Sequence, residues 1–255
     1  MRDAAYQYQG GRDKRFLVLC DHASNHIPPE IELGISDADA KRHIAYDLGA
    51  AGVAQVLAQA LDCPSLMAQF SRLVIDPNRG LDDPTLITET SDGTDIIGNH
   101  RIDGAARALR IQTYYTPYHQ AITDAIDEAL AAEQIPILLS IHSFTPHWRG
   151  QSRIWDMGLL WDKDERVAQH IATHIPNRDD LCIGNNQPYT GQLYEDCMYR
   201  HGTRRGLPHS LIELRQDEVA TAQAQSLWGQ RLAQAVRDFP NSDDYSVCHY
   251  GSVFD

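Results

Sequence analysis

Three short apolar runs in this sequence each lead into polar side chains, and this pattern constrains the fold more than any other feature. The first run leads into Asp21 and His22, the second leads into His142, and the third contains Glu213 near its end. Short apolar runs are typical of buried strands, and open α/β sheets gather functional groups at the carboxyl ends of their strands. The three runs therefore predict an α/β protein with a polar site at one edge of its sheet.

Strand-like and helix-like segments alternate along the chain, which indicates an α/β fold with a mainly parallel sheet. Strands are predicted at 15–20, 65–68, 73–75, 136–141, 154–161, 181–183 and 209–214. Helices are predicted at 36–62 with Ser36 as N-cap, at 104–131 with a kink or break at Pro117, at 163–175 and at 218–238. The long loops 77–100 and 184–207 are expected to be functional.

The length of 255 residues fits one domain over 1–255, with a core of about 14–238 and a tail at 240–255 that packs loosely on the surface. The net charge of -13 argues against binding to nucleic acids and anionic membranes. No run approaches the roughly 18–20 apolar residues that span a bilayer. The oligomeric state is left open by the sequence.

The cellular compartment is indicated by the N-terminus and by the cysteines. Residues 1–11 have no apolar core of signal-peptide length. Five cysteines without a CxxC spacing are typical of reduced thiols rather than of a disulfide framework or a thiolate zinc site. A cytoplasmic location is therefore expected.

His22 and His142 are the first candidates for metal ligands, since each follows or ends a predicted strand and neutral imidazole is a common zinc ligand. A catalytic zinc needs a third protein ligand and one open position. Asp21 is the best third ligand by chemistry, although neighbouring strand residues point to opposite faces. Asn25 and His26 are the alternatives, and His26 could equally be an exposed loop residue.

Glu213 lies among apolar residues, which is unusual for a carboxylate without a partner. Such a group has a raised pKa and suits a general base that takes a proton from water and later delivers it to a leaving amine. The alternative is an edge strand on which Glu213 and Arg215 both face solvent. The sequence leaves these two interpretations equally open.

Three arginines, Arg72, Arg79 and Arg101, lie on or after the second predicted strand pair. A guanidinium binds a carboxylate through two parallel hydrogen bonds. Arginines near a metal therefore suggest a substrate with one or more carboxylates, whereas each one taken singly could be a solvated surface residue.

The chain resembles the N-formylglutamate amidohydrolase family, and the resemblance rests on several motifs together. The matching stretches, in order, are 20–28, 71–79, 140–144, 186–191 and 206–217. They cover most of the chain from about 16 to 220. Ser143 and Tyr189 fall within these stretches and become candidates for substrate contacts.

The family is in turn similar to zinc exopeptidases of the carboxypeptidase type, which implies a phosphorylase/hydrolase-like fold with three α/β/α layers and a mixed, largely parallel sheet. By this resemblance His22 is the first metal ligand, His142 is the last, and Glu213 is the base. Asn78 and Arg79 correspond to the pair that holds the substrate carboxylate. Asn25 stands where the HxxE pattern of the exopeptidases has Glu, so the third ligand remains open.

The resemblance implies a metal-dependent amidohydrolase that removes a formyl or other small acyl group from an acidic amino acid. N-formyl-L-glutamate would give glutamate and formate, as in histidine breakdown. The metal would polarise the amide carbonyl and activate water, and Arg72 or Arg215 would hold a second carboxylate or stabilise the oxyanion. Zinc is the default metal, although manganese, iron or cobalt would also suit nitrogen and oxygen ligands. The alternatives are a deacylase or carboxypeptidase-like hydrolase with another N-acyl amino acid, and a non-catalytic protein that binds a carboxylate ligand.

Overall fold

A seven-stranded sheet forms the centre of the computed structural model, which describes residues 4–100 and 102–255. Residues 1–3 and Arg101, one of the three candidate arginines, lie outside the described residues. The strands are β1 (Tyr6–Gln9), β2 (Phe16–Cys20), β3 (Ser65–Ala68), β4 (Ile137–Phe144), β5 (Met157–Leu160), β6 (Ile183–Asn185) and β7 (His209–Arg215). Their spatial order is β1-β3-β2-β4-β7-β5-β6.

The four central strands, β3, β2, β4 and β7, are parallel, as the alternation of strands and helices predicts. The edge strand β1 is antiparallel to β3, and β5 is antiparallel to β7 but parallel to β6. Among the described residues, six helices flank the sheet: α1 (Ala50–Leu61), α2 (Gly104–Arg110), α3 (Thr116–Ala131), α4 (Arg166–His174), α5 (Cys197–His201) and α6 (Ala222–Val236). The predicted α/β/α architecture with a mixed, largely parallel sheet is therefore confirmed.

Two hydrophobic cores fill the space between the sheet and the helices, one on each face. Phe16, Val18 and Cys20 of β2 join the core that contains α1, α4 and α6. Leu17 and Leu19 join the opposite core, which contains residues of α3 and α5. This division follows from the two-residue period of a strand, and it makes β2 apolar on both faces.

The register of the parallel strands brings the polar side chains of the three apolar runs to one place. Leu19 pairs with Ser140, and Glu213 pairs with His142, two residues further along the same strand as Ser140. Residues opposite each other in register, and those two apart on one strand, point to the same face. His142 and Glu213 therefore lie side by side near the carboxyl ends of their strands, and Asp21 follows the end of β2 at the same edge.

The prediction of one helix over 36–62 is wrong, because α1 begins only at Ala50. Gly49 adopts a left-handed conformation with φ of 82° and ends the preceding turn. Ile44 packs in one core and Val53 in the other, which a single continuous helix could not achieve. Ser36 is not a helix N-cap: it precedes a short 3-10 turn at Asp39–Lys41, and its Oγ accepts a hydrogen bond from the Asp39 N–H.

Two further strand predictions, at 73–75 and at 154–161, need correction, and strand β1 was not predicted at all. Residues 73–75 form a buried turn rather than a strand, and the N–H of Val74 donates to the carbonyl of Ser71. Strand β1 was not predicted because its sequence, Tyr-Gln-Tyr-Gln, is polar, as suits an exposed edge. The strand predicted at 154–161 begins only at Met157, while the other predicted strands and helices lie within a few residues of the observed ones.

The helix predicted over 104–131 is continuous through Pro117. Residues Ile111–Tyr115 form a π-helical segment between α2 and α3, and it ends two residues before Pro117. Proline cannot donate to the preceding turn and its ring crowds the carbonyl four residues earlier, so a locally wider turn accommodates it.

The predicted long loops contain short elements of their own. Residues 77–100 include a hairpin of Thr90–Ser91 with Thr94–Asp95, and residues 184–207 include α5. The tail 240–255 packs against the domain more closely than predicted. The Cys248 N–H donates to the Gly206 carbonyl, and the Tyr245 hydroxyl donates to the Ile135 carbonyl. Ser252 is buried.

Across the described residues, no helix has the length and apolarity needed to cross a membrane.

Candidate metal centre and active-site pocket

Three buried side chains, His22, Asp47 and His142, converge at the carboxyl edge of the sheet. One potential ligand atom from each lies within 4.8 Å of the other two. Oδ2 of Asp47 is 3.3 Å from Nδ1 of His22 and 2.9 Å from Nδ1 of His142. Two imidazoles and one carboxylate form a common ligand set of catalytic zinc. Asp47 was not among the candidates from the sequence.

The backbone places each of these three residues. His22 follows the end of β2, and its carbonyl accepts a hydrogen bond from the Asp47 N–H at 3.0 Å. Asp47 itself precedes α1, whose first residue, Ala50, donates its N–H to the Asp47 carbonyl at 3.2 Å. His142 is part of β4. The centre is therefore built on the end of one strand, the interior of another and the turn that opens α1.

A carboxylate holds the far nitrogen of each imidazole. Nε2 of His22 is 2.7 Å from Oδ1 of Asp76, and Nε2 of His142 is 3.0 Å from Oδ2 of Asp21. A carboxylate on the far nitrogen fixes the tautomer and the orientation of a metal-binding histidine and makes its other nitrogen a stronger ligand. Both rings thus present Nδ1 toward Asp47.

Asp21 lies behind His142 rather than in the group of three. Its carboxylate accepts hydrogen bonds from the hydroxyls of Tyr118 at 2.8 Å and Ser140 at 3.0 Å. Burial would raise the pKa of Asp21, but the contact with His142 outweighs it and holds that pKa well below its usual range. Asp21 is therefore an ionised partner that orients His142.

The charges of the centre favour a bound cation. Burial alone would lower the pKa of His142, but its hydrogen bonds to Asp21 and Asp47 raise that pKa to about 10. Burial would likewise raise the pKa of Asp47, and the two histidines lower it instead. The buried carboxylates thus attract positive charge to this point, and a divalent cation can take the place of the proton.

Glu213 lies next to His142 on the neighbouring strand and is only 8% exposed. Because β7 is an interior strand between β4 and β5, the alternative of an edge strand with Glu213 facing solvent does not apply. Oε2 of Glu213 has no hydrogen-bond partner among the described residues. Burial raises the pKa of Glu213 to about 7, although His142 opposes this effect. Such a carboxyl can exchange protons near neutral pH.

A cavity of about 660 Å³ opens over the centre and includes His22, Asp47, His142 and Glu213 in its wall. Its lining also includes three aromatic side chains, Phe144, Trp148 and Tyr189, which we call the aromatic wall. The cavity combines a large apolar surface with a few charged groups at its base, as is typical of small-molecule sites.

Two of the candidate arginines line this cavity but differ in their partners. Arg72 is paired with Asp76 at 2.7 Å and with Asp47 at 3.5 Å. Arg79 donates to the Asn78 carbonyl and to the Thr85 hydroxyl, and within the described chain no carboxylate forms an ion pair with it. Arg79 is therefore free to bind an anion, whereas the charge of Arg72 is already paired with Asp76 and Asp47.

The remaining substrate-binding candidates also lie at the cavity. Asn78 is buried in its wall, and Oδ1 of Asn78 accepts a hydrogen bond from the Cys197 N–H. The Ser143 hydroxyl donates to the Leu48 carbonyl, and its N–H donates to Oδ2 of Asp47. Tyr189 lies at the rim, 43% exposed, with the Arg153 guanidinium 4.9 Å above its ring.

Two other candidates are not brought to the centre. Nδ2 of Asn25 donates to the Ala40 carbonyl, away from the three ligands. Arg215 forms ion pairs with Asp156, Asp217 and Glu218 and does not line the cavity.

Asp47 and Asp76 are the residues of the candidate site that sequence reasoning missed. Asp47 is the only carboxylate in the largely apolar stretch 44–50, and this isolation was the one available signal. Asp76 follows an apolar stretch in the same way.

Comparison with known proteins points to one family. The family model of N-formylglutamate amidohydrolase matches residues 14–220, which include all three potential ligands and Glu213. A solved gene product of Agrobacterium tumefaciens is similar over 93% of this chain and 96% of its own, with a TM-score of 0.85 and 29% identity. The N-formylglutamate amidohydrolase from Ralstonia eutropha shares the fold, with a TM-score of 0.65 and 21% identity over 93% of this chain and 100% of its own. A search among curated proteins finds no match.

Proposed function

Because the chain belongs to the N-formylglutamate amidohydrolase family, we propose that it is a metal-dependent hydrolase that removes the formyl group from an N-formyl acidic amino acid. N-formyl-L-glutamate is the leading substrate, and glutamate and formate are the products. The observation that carries this proposal is the meeting of a two-histidine, one-carboxylate centre with the unpartnered Glu213 in one cavity.

The residues of the centre fit a divalent metal. His22, Asp47 and His142 would hold it, and zinc is the preferred ion because imidazole and carboxylate in a three-ligand set suit catalytic zinc. When bound, such an ion polarises the amide carbonyl and lowers the pKa of water. Asp76 and Asp21 keep the two imidazoles oriented.

Glu213 supplies the proton transfers. In its ionised form it takes one proton from the attacking water as the new C–O bond forms at the formyl carbon. It then delivers this proton to the amide nitrogen as the C–N bond breaks, and the amino acid leaves as its amine. Its buried position on β7 and its pKa of about 7 suit both steps.

Arg79 recognises a substrate carboxylate. It lines the cavity without a carboxylate partner among the described residues, and Asn78 precedes it in the same wall. A guanidinium that is free on the cavity side can form a bidentate contact with a carboxylate. An N-acyl amino acid, which carries an α-carboxylate, therefore suits this cavity.

A second candidate is a deacylase for a larger N-acyl amino acid, and the size of the cavity favours it. A volume of about 660 Å³ and the aromatic wall leave apolar space beyond a formyl group. Cavities of roughly 300–1,000 Å³ hold ligands the size of drugs, which are larger than formylglutamate. The centre and Glu213 would act on such a substrate in the same way.

A substrate panel tests the proposal and separates the two candidates. Purified protein with zinc is given N-formyl-L-glutamate, N-formyl-L-aspartate, N-acetyl-L-glutamate and N-benzoyl-L-glutamate, and kcat/KM is measured from release of the free amino acid. The proposal predicts the highest value for N-formyl-L-glutamate. A higher value for the benzoyl substrate would favour the second candidate, and no turnover of any of them, together with no bound metal, would favour a non-catalytic binding protein.

A further inference from the structure

A second group of potential metal ligands lies on the same side of the sheet, outside the wall of the active-site cavity. It consists of His119 on α3 and of Cys197 and His201 on α5. All three are buried, and one ligand atom from each lies within 4.8 Å of the other two. Cys197 and His201 are four residues apart on one helix and therefore share a face. Three donors from two helices thus meet at one point.

The hydrogen bonds of His119 leave one nitrogen available for a metal. Nε2 of His119 is 3.0 Å from the carbonyl oxygen of Pro77, which can only accept, so Nε2 carries the hydrogen. Nδ1 of the neutral ring then presents its lone pair toward Nε2 of His201 at 2.8 Å. A backbone carbonyl on the far nitrogen is a common support for a metal-binding histidine.

Burial keeps the two histidines neutral, which is the form that binds a metal. It also keeps Cys197 as a thiol, whose proton a metal can replace. Burial, together with Arg200, lowers the pKa of His119 to about 4, and burial also lowers the pKa of His201. Both rings are therefore neutral at pH 7, as a metal ligand must be. Burial raises the pKa of the Cys197 thiol, so a cation that replaces its proton would stabilise the thiolate.

The surroundings offer both access and a fourth position. A cavity of about 320 Å³ borders His119 and His201. Arg200 and Arg205 also line it, but Glu195 pairs with Arg200 at 3.1 Å and Asp127 pairs with Arg205. Their positive charge is thus partly offset, and water can reach the group from this side.

We propose that His119, Cys197 and His201 form a second metal site, for zinc or another divalent cation that favours thiolate and imidazole ligands, with water in the fourth position. Binding forms the metal–sulfur bond and releases the thiol proton to solvent, so charge and atoms balance. The absence of a CxxC spacing does not oppose such a site, because its ligands come from two helices.

The site has a structural role in joining α3 to α5. Helix α5 begins within the segment 184–207, whose earlier part supplies Tyr189 to the active-site cavity. The Cys197 N–H also donates to Oδ1 of Asn78, the neighbour of Arg79. A metal at Cys197 therefore steadies the part of the cavity wall that carries Arg79, without taking part in the reaction.

Cobalt substitution tests this site directly. A thiolate bound to Co²⁺ gives a charge-transfer band in the near ultraviolet, and the centre of His22, Asp47 and His142 contains no sulfur. We expect the protein reconstituted with Co²⁺ to bind two equivalents of metal and to show this band. One equivalent without the band would overturn the second site and leave the first one standing.

Two variants assign the band. Cys197→Ser is expected to lose the band and one equivalent of metal, whereas the matched control Cys63→Ser, another buried free thiol, keeps both. A band that persists in folded Cys197→Ser would contradict the assignment. The result for the unmodified protein does not depend on how either variant folds, and circular dichroism identifies a variant that is unfolded.

A third variant separates this inference from the proposed function. His22→Gln is expected to lose the other equivalent of metal and to keep the thiolate band. If the unmodified protein shows the band with a single equivalent, and His22→Gln changes neither, the second site stands while the metal-dependent mechanism at the first fails. If no preparation binds Co²⁺, both proposals fail.

Discussion

Asp47 and His142 are 95 positions apart in the sequence, yet Oδ2 of Asp47 lies 2.9 Å from Nδ1 of His142. The same oxygen lies 3.3 Å from Nδ1 of His22 and accepts a hydrogen bond from the Ser143 N–H at 3.3 Å. This oxygen is therefore the point at which the two imidazoles meet. A cation bound by both rings would be bound by Asp47 as well.

The Asp76→Asn substitution is expected to weaken metal binding by about 10- to 100-fold, because Asp76 holds Nε2 of His22 at 2.7 Å. Metal affinity is measured by competition with a coloured chelator, in a Cys197→Ser background so that only the first site contributes. The exposed Asp82→Asn serves as a control with the same change of charge. Equal affinities for the two variants would show that Asp76 does not support the ligand.

The Arg79→Gln substitution is expected to raise KM for N-formyl-L-glutamate by about 10- to 100-fold, because a charge-assisted hydrogen bond contributes about 1.5–3 kcal/mol. Steady-state kinetics measure this change, with kcat affected less than KM. An N-formyl amino acid amide, which lacks the α-carboxylate, provides the control. If Arg79 binds the α-carboxylate, the unmodified protein and Arg79→Gln should hydrolyse the amide substrate with the same KM.

The Glu213→Gln substitution is expected to lower kcat/KM by about 10²- to 10⁴-fold, because the amide cannot take the proton from water. The base acts in its ionised form, so activity of the unmodified protein should fall as the pH drops below the pKa of Glu213. Burial raises that pKa to about 7 in the metal-free protein. A bound cation favours the carboxylate and lowers it, so the acidic limb should lie at or below about 7. If the pH profile of kcat/KM for Glu213→Gln still shows the acidic limb, the limb arises from a group other than Glu213.

The Gly49→Ala substitution is expected to destabilise the protein more than Gly93→Ala. Both glycines have left-handed φ values, 82° and 76°, which cost other residues about 1–2 kcal/mol. A Cβ at position 49 would also lie 2.5 Å from the Val219 carbonyl oxygen, whereas nothing lies within 4 Å at position 93. Denaturant unfolding measures the free energy of unfolding of each variant. Equal losses would show that the contact with Val219 relaxes without cost.

The sequence predicted those parts of the fold that depend on local apolar patterns. Strands β2, β4 and β7 each contain a buried apolar run, and the side chains of these runs are buried on both faces of the sheet, so the positions of the strands could be read directly. The predicted helix at 36–62 failed because the residues before and after Gly49 bury themselves on opposite faces of the sheet. The hydrophobic periodicity of a segment does not show which face of the sheet that segment will pack against.

The candidate site was predictable only for the residues that lie on or directly after the strands, and not for those that come from turns. His22, His142 and Glu213 lie near or just after the carboxyl ends of strands with apolar runs, and parallel pairing brings these ends together. Asp47 comes from a turn whose direction depends on Gly49, and Asp76 comes from a buried turn rather than from the predicted strand. Their contribution could be recognised only from distances between segments far apart in sequence.

The most direct test of metal-dependent hydrolysis is formate release from N-formyl-L-glutamate by the unmodified protein and by Asp47→Asn, each first depleted of metal and then supplied with zinc. We predict that depletion abolishes turnover by the unmodified protein and that zinc restores it, while Asp47→Asn stays inactive in both conditions. Full turnover by the metal-depleted protein, or turnover by Asp47→Asn equal to that of the unmodified protein, would contradict the account.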